Sequence, residues 1–315
     1  MARSHRVVAL AGGVGGAKLA LGLALTLPAD CLTVVVNTGD DFERHGLTIC
    51  PDLDTVMYTL AGLADPVKGW GVAGDTTAAL EMLARYGEAT WFMLGDRDLA
   101  THLLRTAALR AGERLTAVTE RLCRALGIGP RVLPVTDDRV STLVDTRDEG
   151  TLAFQEYFVR RRWEPVVTGL RYAGAEAARP TPEVVAALED ASLIVFCPSN
   201  PVLSIDPVLA IGDMRARLAA AQARRVAVSP IVRGAAIKGP AAKLMAEMGM
   251  EVSPVGVAAH YRGLLDGFVL DAQDAHYERR VQSLGMKTLV TDTVMRTDAD
   301  RKRLADEILD WSVQW

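Results

Sequence analysis

Short runs of apolar, often β-branched residues alternate along this chain with longer Ala/Leu-rich stretches of helical period. Residues 6–11 (RVVALA), 32–37 (LTVVVN), 192–197 (SLIVFC), 225–229 (RVAVS) and 267–270 (GFVL) are nearly continuous apolar runs. Continuous rather than alternating hydrophobicity predicts strands covered on both faces, hence a parallel sheet between helical layers. Helices are expected over 17–27, 54–63, 76–86, 100–111, 182–188, 205–223, 239–248 and 301–311. The alternation predicts an α/β fold, a Rossmann-like, doubly wound and mostly parallel sheet. Around residues 140–175 the rhythm changes. STLVDT and TLAFQEYFV alternate in polarity on either side of Asp148-Glu149-Gly150, predicting an antiparallel hairpin inserted into the core. The nearest thing to a linker, EAARPTPE at 176–183, is short, so one Rossmann-like domain spanning 1–315 is expected.

Composition narrows the function classes. Half of the 315 residues are hydrophobic, enough for a large core. The 35 basic against 39 acidic residues leave a net charge of −4, which gives no electrostatic case for nucleic acid or an anionic membrane. The N-terminal apolar run is too short for a signal-peptide core and no cleavage site follows it. No apolar stretch approaches the roughly 20 residues that cross a bilayer. Cys31, Cys50, Cys123 and Cys197 are scattered, with no C-x-x-C pair, as expected of reduced structural cysteines. A cytoplasmic protein acting on small molecules is expected.

In open α/β sheets, ligands bind beyond the carboxyl ends of the strands. Polar or Gly-rich signatures follow nearly every expected strand here: Gly12-Gly13-Val14-Gly15-Gly16, Asn37-Thr38-Gly39-Asp40-Asp41, Pro198-Ser199-Asn200-Pro201 and Ser229-Pro230-Ile231. One site built from several loops is the economical reading. The glycine loop is neither a P-loop nor G-x-G-x-x-G in register. It serves either as a phosphate-binding turn ahead of a helix N-terminus or as a plain tight turn. Asp40, Asp41, Asp52 and Asp54 cluster near one strand end, where a divalent cation bound with a diphosphate would neutralise them. For Asp52 a helix N-cap is the alternative. In Leu94-Gly95-Asp96-Arg97-Asp98, Arg97 between two aspartates is either a structural ion-pair cluster or the holder of a polar ligand. His102 adds little by itself. Ser199 and Asn200, between two prolines, suit base or ribose recognition or an ordinary helix-capping turn. Trp70 and Trp91 are expected to pack, and Met245, Met248 and Met250 to lie in the core or on a helix surface.

Taken in order, the blocks GGVGGAKL, VVNTGDDFERHGLTICPDLDTVMYTLAGL, GWGVAGDT, LGDRDLATHLLRT, FQEYFV, PSNPVLSI, VAVSPIV and KGPAAKLM resemble the 2-phospho-L-lactate transferase family of deazaflavin coenzyme F420 biosynthesis. The resemblance runs from about residue 7 to about 295. It implies a Rossmann-like, Mg²⁺-dependent homodimer. The implied reaction moves a phosphorylated three-carbon acid (2-phospholactate, phosphoenolpyruvate or 3-phosphoglycerate) from a guanosine diphosphate-activated donor to the ribityl hydroxyl of Fo (7,8-didemethyl-8-hydroxy-5-deazariboflavin), releasing GMP. By the same resemblance, Asp54 and Arg97 contact Fo, and Asp40 with Asp54 holds the metal. Gly12, Gly13, Gly15 and Gly16 with Ser199 and Asn200 face the nucleotide and its phosphates. Asp40 or Asp54 is the candidate proton acceptor, and replacing Asp54 with Asn is expected to abolish transfer and leave the fold intact. Arg233 stands where a glycine or other small residue is expected. The alternative is a non-enzymatic regulator of the same fold that binds nucleotide sugars, for which LGDRDLATH and FQEYFV together are not expected. A nicotinamide dehydrogenase ranks last, because the second strand ends in Asn37 rather than an acidic residue.

Overall fold

A computed structural model of the chain describes residues 6–237 and 239–315; residues 1–5 of the expected N-terminus and Lys238 of the KGPAAKLM block lie outside the described residues. The core is a seven-stranded sheet of β1 (Val7–Ala11), β2 (Leu32–Val36), β3 (Arg131–Pro134), β4 (Leu193–Phe196), β5 (Arg224–Val228), β6 (Gly267–Asp271) and β7 (Lys287–Thr291). Its spatial order is β7-β6-β5-β4-β1-β2-β3, and every neighbouring pair is parallel. The chain therefore winds outward from β1 in one direction through β2 and β3, then returns past β1 to continue through β4. This is the 3-2-1-4-5-6 order of the nucleotide-binding folds with one strand added, and the β1/β4 gap is its topological switch point.

The two faces of the sheet bury separate cores. One is built on Leu10, Val35, Ile194, Phe196 and Phe268, the other on Val7, Ala9, Val34, Val36 and Val195. Successive side chains of β1 and β2 thus feed opposite layers, which is why their sequences are apolar without alternation. The first helix, α1 (Gly13–Thr26), lies on the second core with the C-terminal helix Asp298–Ser312. Close approach of these two helices requires Gly22, where a Cβ would stand 2.2 Å from the Arg301 carbonyl oxygen.

Between β2 and β3 the chain makes a long excursion through a short hairpin (Phe42–Arg44 with Leu47–Ile49) and four helices: α2 (Pro51–Leu60), α3 (Ala78–Arg85), α4 (Asp98–Arg110) and α5 (Leu115–Ala125). The expected insertion lies between β3 and β4. It is a three-stranded antiparallel sheet, Gly150–Ala153, Ser141–Thr146 and Val167–Ala173 in that spatial order. The FQEYFV block departs from its expected alternation: Glu156–Arg160 coils into a wide helical turn, and only Gly150–Ala153 is strand. The expected helix 205–223 is also broken, into Asp206–Leu209 and Met214–Ala220. Gly212 turns the chain between them at φ 46°, close under the Ala178 carbonyl. Arg233 occupies the left-handed region at φ 54° beside Gly234 at 71°, in the two-residue turn joining Ile231–Val232 to Ala235–Ala236. That backbone explains why a glycine is expected there.

Candidate active site

The switch point gathers three of the expected signatures. Gly12 lies between β1 and α1, and the Pro198-Ser199 loop follows β4 immediately beside it. A Cβ at Gly15 would lie 2.2 Å from the Pro198 carbonyl oxygen, and one at Gly16 would lie 2.5 Å from Ser199 Oγ. Close packing of the two loops thus accounts for these glycines, whatever ligand the crevice takes. The Ser199 hydroxyl closes the seam, donating to the Gly12 carbonyl at 2.8 Å and accepting from the Gly12 N–H at 3.2 Å. Asn200 Oδ1 accepts from the Val202 and Leu203 N–H groups at 3.1 and 3.2 Å, capping the turn that follows. This matches the capping alternative weighed for Asn200.

Asp52 is not the N-cap of its own helix. α2 begins at Pro51, whose missing N–H costs nothing at a first helical position. The Asp52 carboxylate instead reaches across to α1: Oδ1 accepts the Gly13 N–H at 2.7 Å, and Oδ2 accepts from Asn37 Nδ2 at 3.0 Å. Gly12, the residue before α1, has no side chain to cap the helix, so the carboxylate of α2 satisfies an otherwise orphaned donor at its positive end. Asn37 Oδ1 in turn accepts the Gly39 N–H at 2.8 Å and so shapes the loop that carries Asp40.

Asp40 is 6% exposed, and its Oδ1, like that of Asp41, is buried with no hydrogen-bond partner among the described residues. Burial and then the charge of Asp52 hold Asp40 well above the usual carboxylate range, against the hydrogen bond from Asn37. Burial likewise raises Asp41, and it brings Asp52 to about 6 despite the hydrogen bonds from Asn37 and Gly13. Burial thus disfavours the charged form of all three carboxyls, and in Asp40 and Asp41 one oxygen is left open among the described residues.

Asp54 is placed differently. Both of its oxygens receive Arg105, Nη1 to Oδ2 at 3.0 Å and Nη2 to Oδ1, and the arginine is 1% exposed. His102 Nδ1 lies 3.4 Å from Arg105 Nη1 and 3.6 Å from Asp54 Oδ2, while Nε2 lies 3.2 Å from Asp98 Oδ2. Tyr58 donates to Asp98 Oδ1 at 2.7 Å. Burial opposes ionised Asp98, but the hydrogen bond and charge of His102, with Tyr58, more than offset it and leave its pKa lowered. Asp54, Asp98 and His102 each present a potential ligand atom within 4.8 Å of the others. Asp98, His102 and Arg105 follow one another at helical spacing on α4, so one helix face brings Arg105 and His102 to Asp54 and sets Asp98 beside them. Because removing one partner strands a buried charge, the buried pair with Arg105 leads us to expect that Asp54→Asn also destabilises the fold.

Arg97 stands immediately before α4 and is held by an exchange of caps. Asp75 of GWGVAGDT accepts the Arg97 and Asp98 N–H groups at 2.8 and 3.0 Å, while Asp96 accepts those of Ala78 and Ala79, both at 2.9 Å. Each aspartate thereby caps the other segment's helix. The Arg97 guanidinium donates to the Ala73 carbonyl at 3.3 Å. From the insertion, Gln155 of FQEYFV donates to the Asp40 carbonyl at 3.3 Å, which ties that block to the acidic loop.

The raised carboxyls predict a pH dependence. A group whose folded pKa lies above its unfolded value holds protons that the unfolded chain has lost, so stability falls as pH rises through that interval. Above about pH 5.5 the lowered carboxyls are ionised in both states, which leaves Asp40, Asp41 and Asp52 to set the trend. With divalent cations chelated, the melting temperature is expected to be lower at pH 7 than at pH 5.5. Adding Mg²⁺ should raise it more at pH 7, where protons compete less; equal shifts at both would contradict the cation reading of the carboxyls.

The parallel strand order with its switch point, and the buried carboxyls beside it, define the class: a Rossmann-like α/β protein. The chain belongs to the 2-phospho-L-lactate transferase CofD family, whose model matches residues 7–308. It is a transferase of coenzyme F420 biosynthesis, as the motifs led us to expect. It is 45% identical over 300 residues to a phosphoenolpyruvate transferase of Streptomyces griseus, covering 94% of both chains. It is 40% identical over 303 residues to the 2-phospho-L-lactate transferase of Methanosarcina mazei, covering 96% of this chain and 99% of that protein. A solved structure of protein BH3568 from Bacillus halodurans superposes with a TM-score of 0.66 at 16% identity, over 97% of this chain and 99% of that one, and shows the same fold. Among the described residues no helix is long and apolar enough to cross a membrane.

Proposed function

We propose that this protein transfers the phosphoenolpyruvyl group from its guanosine diphosphate-activated form to the ribityl hydroxyl of Fo, releasing GMP. One observation carries the reading. A nucleotide-type switch point and an acidic floor, with a buried, unpartnered Asp40 oxygen, meet at one sheet edge. The choice of donor follows the relatives at 44–45% identity, which are named phosphoenolpyruvate transferases. In the proposed reaction the Fo hydroxyl attacks the phosphorus that bears the three-carbon acid. The bond to the GMP phosphate oxygen breaks in line, and the hydroxyl proton passes to Asp40.

Asp40 suits that role better than Asp54, because its Oδ1 has no hydrogen-bond partner among the described residues, whereas both oxygens of Asp54 are clamped by Arg105. Gly12, Gly13, Gly15 and Gly16 with Ser199 and Asn200 line the nucleotide side, and Arg97 and Asp54 the Fo side. Mg²⁺, with Asp40 and Asp54 as its proposed ligands and Asp41 and Asp98 bordering them, would neutralise charge on the phosphate oxygens. Four free cysteines, three of them buried, accord with a cytoplasmic setting, and the family resemblance supports a homodimer as the working unit. Competition tests the donor: with the three guanylylated acids at equal concentration and Fo limiting, the enolpyruvyl product should dominate by mass. A dominant lactyl or glyceryl product would reassign the donor.

A further inference from the structure

Away from the crevice, the helical layer holds a cleft that the proposed reaction does not use. One wall is the short helix Met214–Ala220, which leads into β5; the other is residues 262–264, which lead into β6. The cleft therefore lies toward the amino ends of those strands, at the edge opposite the switch point. It offers about 470 Å³ between Asp213, Arg215, Ala216 and Ala219 on one side and Arg262 and Leu264 on the other. That volume is within the roughly 300–1,000 Å³ usual for small-molecule sites.

The two walls are fastened to each other. Arg225 donates to the Leu218 and Ala219 carbonyls at 3.0 and 2.9 Å, and it holds the two oxygens of Asp266 at 2.8 and 2.9 Å. Met214, Leu218 and Leu264 anchor the walls in the core. A ligand thus meets a surface that is already ordered.

The charge of the cleft is one-sided. Asp213 accepts from Arg217 Nε at 2.8 Å, so its carboxylate is already matched. The guanidinium groups of Arg215 and Arg262 are exposed and have no hydrogen bond or ion pair among the described residues. Burial raises the Tyr261 hydroxyl pKa and the Arg215 charge opposes that rise, which places Arg215 near the residue preceding Arg262. Two unmatched guanidinium forks beside the apolar Ala216, Ala219 and Leu264 suit a ligand with two adjacent anionic groups. A diphosphate neutralises both arginines at once, which a single carboxylate does not.

We propose that this cleft is a second binding site, for a small molecule bearing a diphosphate, separate from the transfer site.

The test titrates pyrophosphate and ADP, each without divalent cation, into the wild type and Arg215→Gln/Arg262→Gln by calorimetry, and maps amide hydrogen exchange with each ligand. Both should bind the wild type and protect residues 212–220 and 260–265. The double variant should lose about tenfold or more in affinity for each, while keeping the wild-type melting temperature and transfer rate. Tighter binding of ADP than of pyrophosphate would assign the nucleoside body to the apolar wall; equal affinities would assign the site to the diphosphate alone. Undiminished binding by the double variant, protection confined to residues 12–16 and 198–200, or no binding by the wild type overturns the proposal.

Discussion

Replacing Arg105 with methionine is expected to lower the unfolding free energy by about 3–5 kcal/mol and to abolish transfer. The arginine is 1% exposed and meets both oxygens of Asp54, itself 5% exposed. Methionine removes the charge, so the Asp54 carboxylate is left buried beside Asp41 and Asp98, with His102 Nδ1 3.6 Å away. Breaking one half of a buried pair costs far more than replacing both halves with apolar groups of similar size. The double variant Asp54→Leu/Arg105→Met should therefore regain much of the lost stability and none of the activity. Chemical denaturation of the two single variants and the double variant measures the coupling. A single variant as stable as the wild type would show that the ion pair does not hold α4 against α2.

Asp40→Asn is expected to do the opposite to stability. Burial and the Asp52 charge already disfavour ionised Asp40 in the folded protein. A neutral side chain of the same shape removes that penalty, so without divalent cation at pH 7 the variant should melt above the wild type. Transfer should fall by about 10²–10⁴, the usual contribution of a positioned general base, and the stabilisation by Mg²⁺ should shrink. Such a gain in stability with a loss of turnover is expected where a site is held in an unfavourable charge state for its chemistry. An Asp40→Asn protein with near-normal turnover would remove Asp40 from the mechanism.

Those elements of the fold that are buried on both faces were legible in the sequence. β1 and β6 are buried at every position, and their apolar runs declare it. The sheet edges were not legible: β3 is four residues opening on an exposed arginine, and β7 has no fully buried position. A strand with one neighbour and a half-wet face lacks the continuous hydrophobicity that marks a central one. Residues 205–223 have helical periodicity, but Pro207 and Gly212 lie within them, and the tertiary fold uses the glycine to turn.

At the site, the acidic cluster and the strand-end loops were visible as residue types, while their partners were not. Arg105 is hidden in the Ala/Leu-rich period of α4, and its only signal is the i, i+4, i+7 spacing with Asp98 and His102. That Asp52 would cap a different helix, and that Asp75 and Asp96 would exchange caps, depends on contacts remote in sequence. No local pattern encodes them.

The most direct test of the account incubates the wild-type protein with Fo, Mg²⁺ and guanylylated phosphoenolpyruvate, and quantifies the Fo adduct by mass against GMP. One adduct formed per GMP released, and neither when Fo or the cation is withheld, is the result expected. GMP released without adduct, or no reaction beside tight binding of a nucleotide sugar, would contradict it.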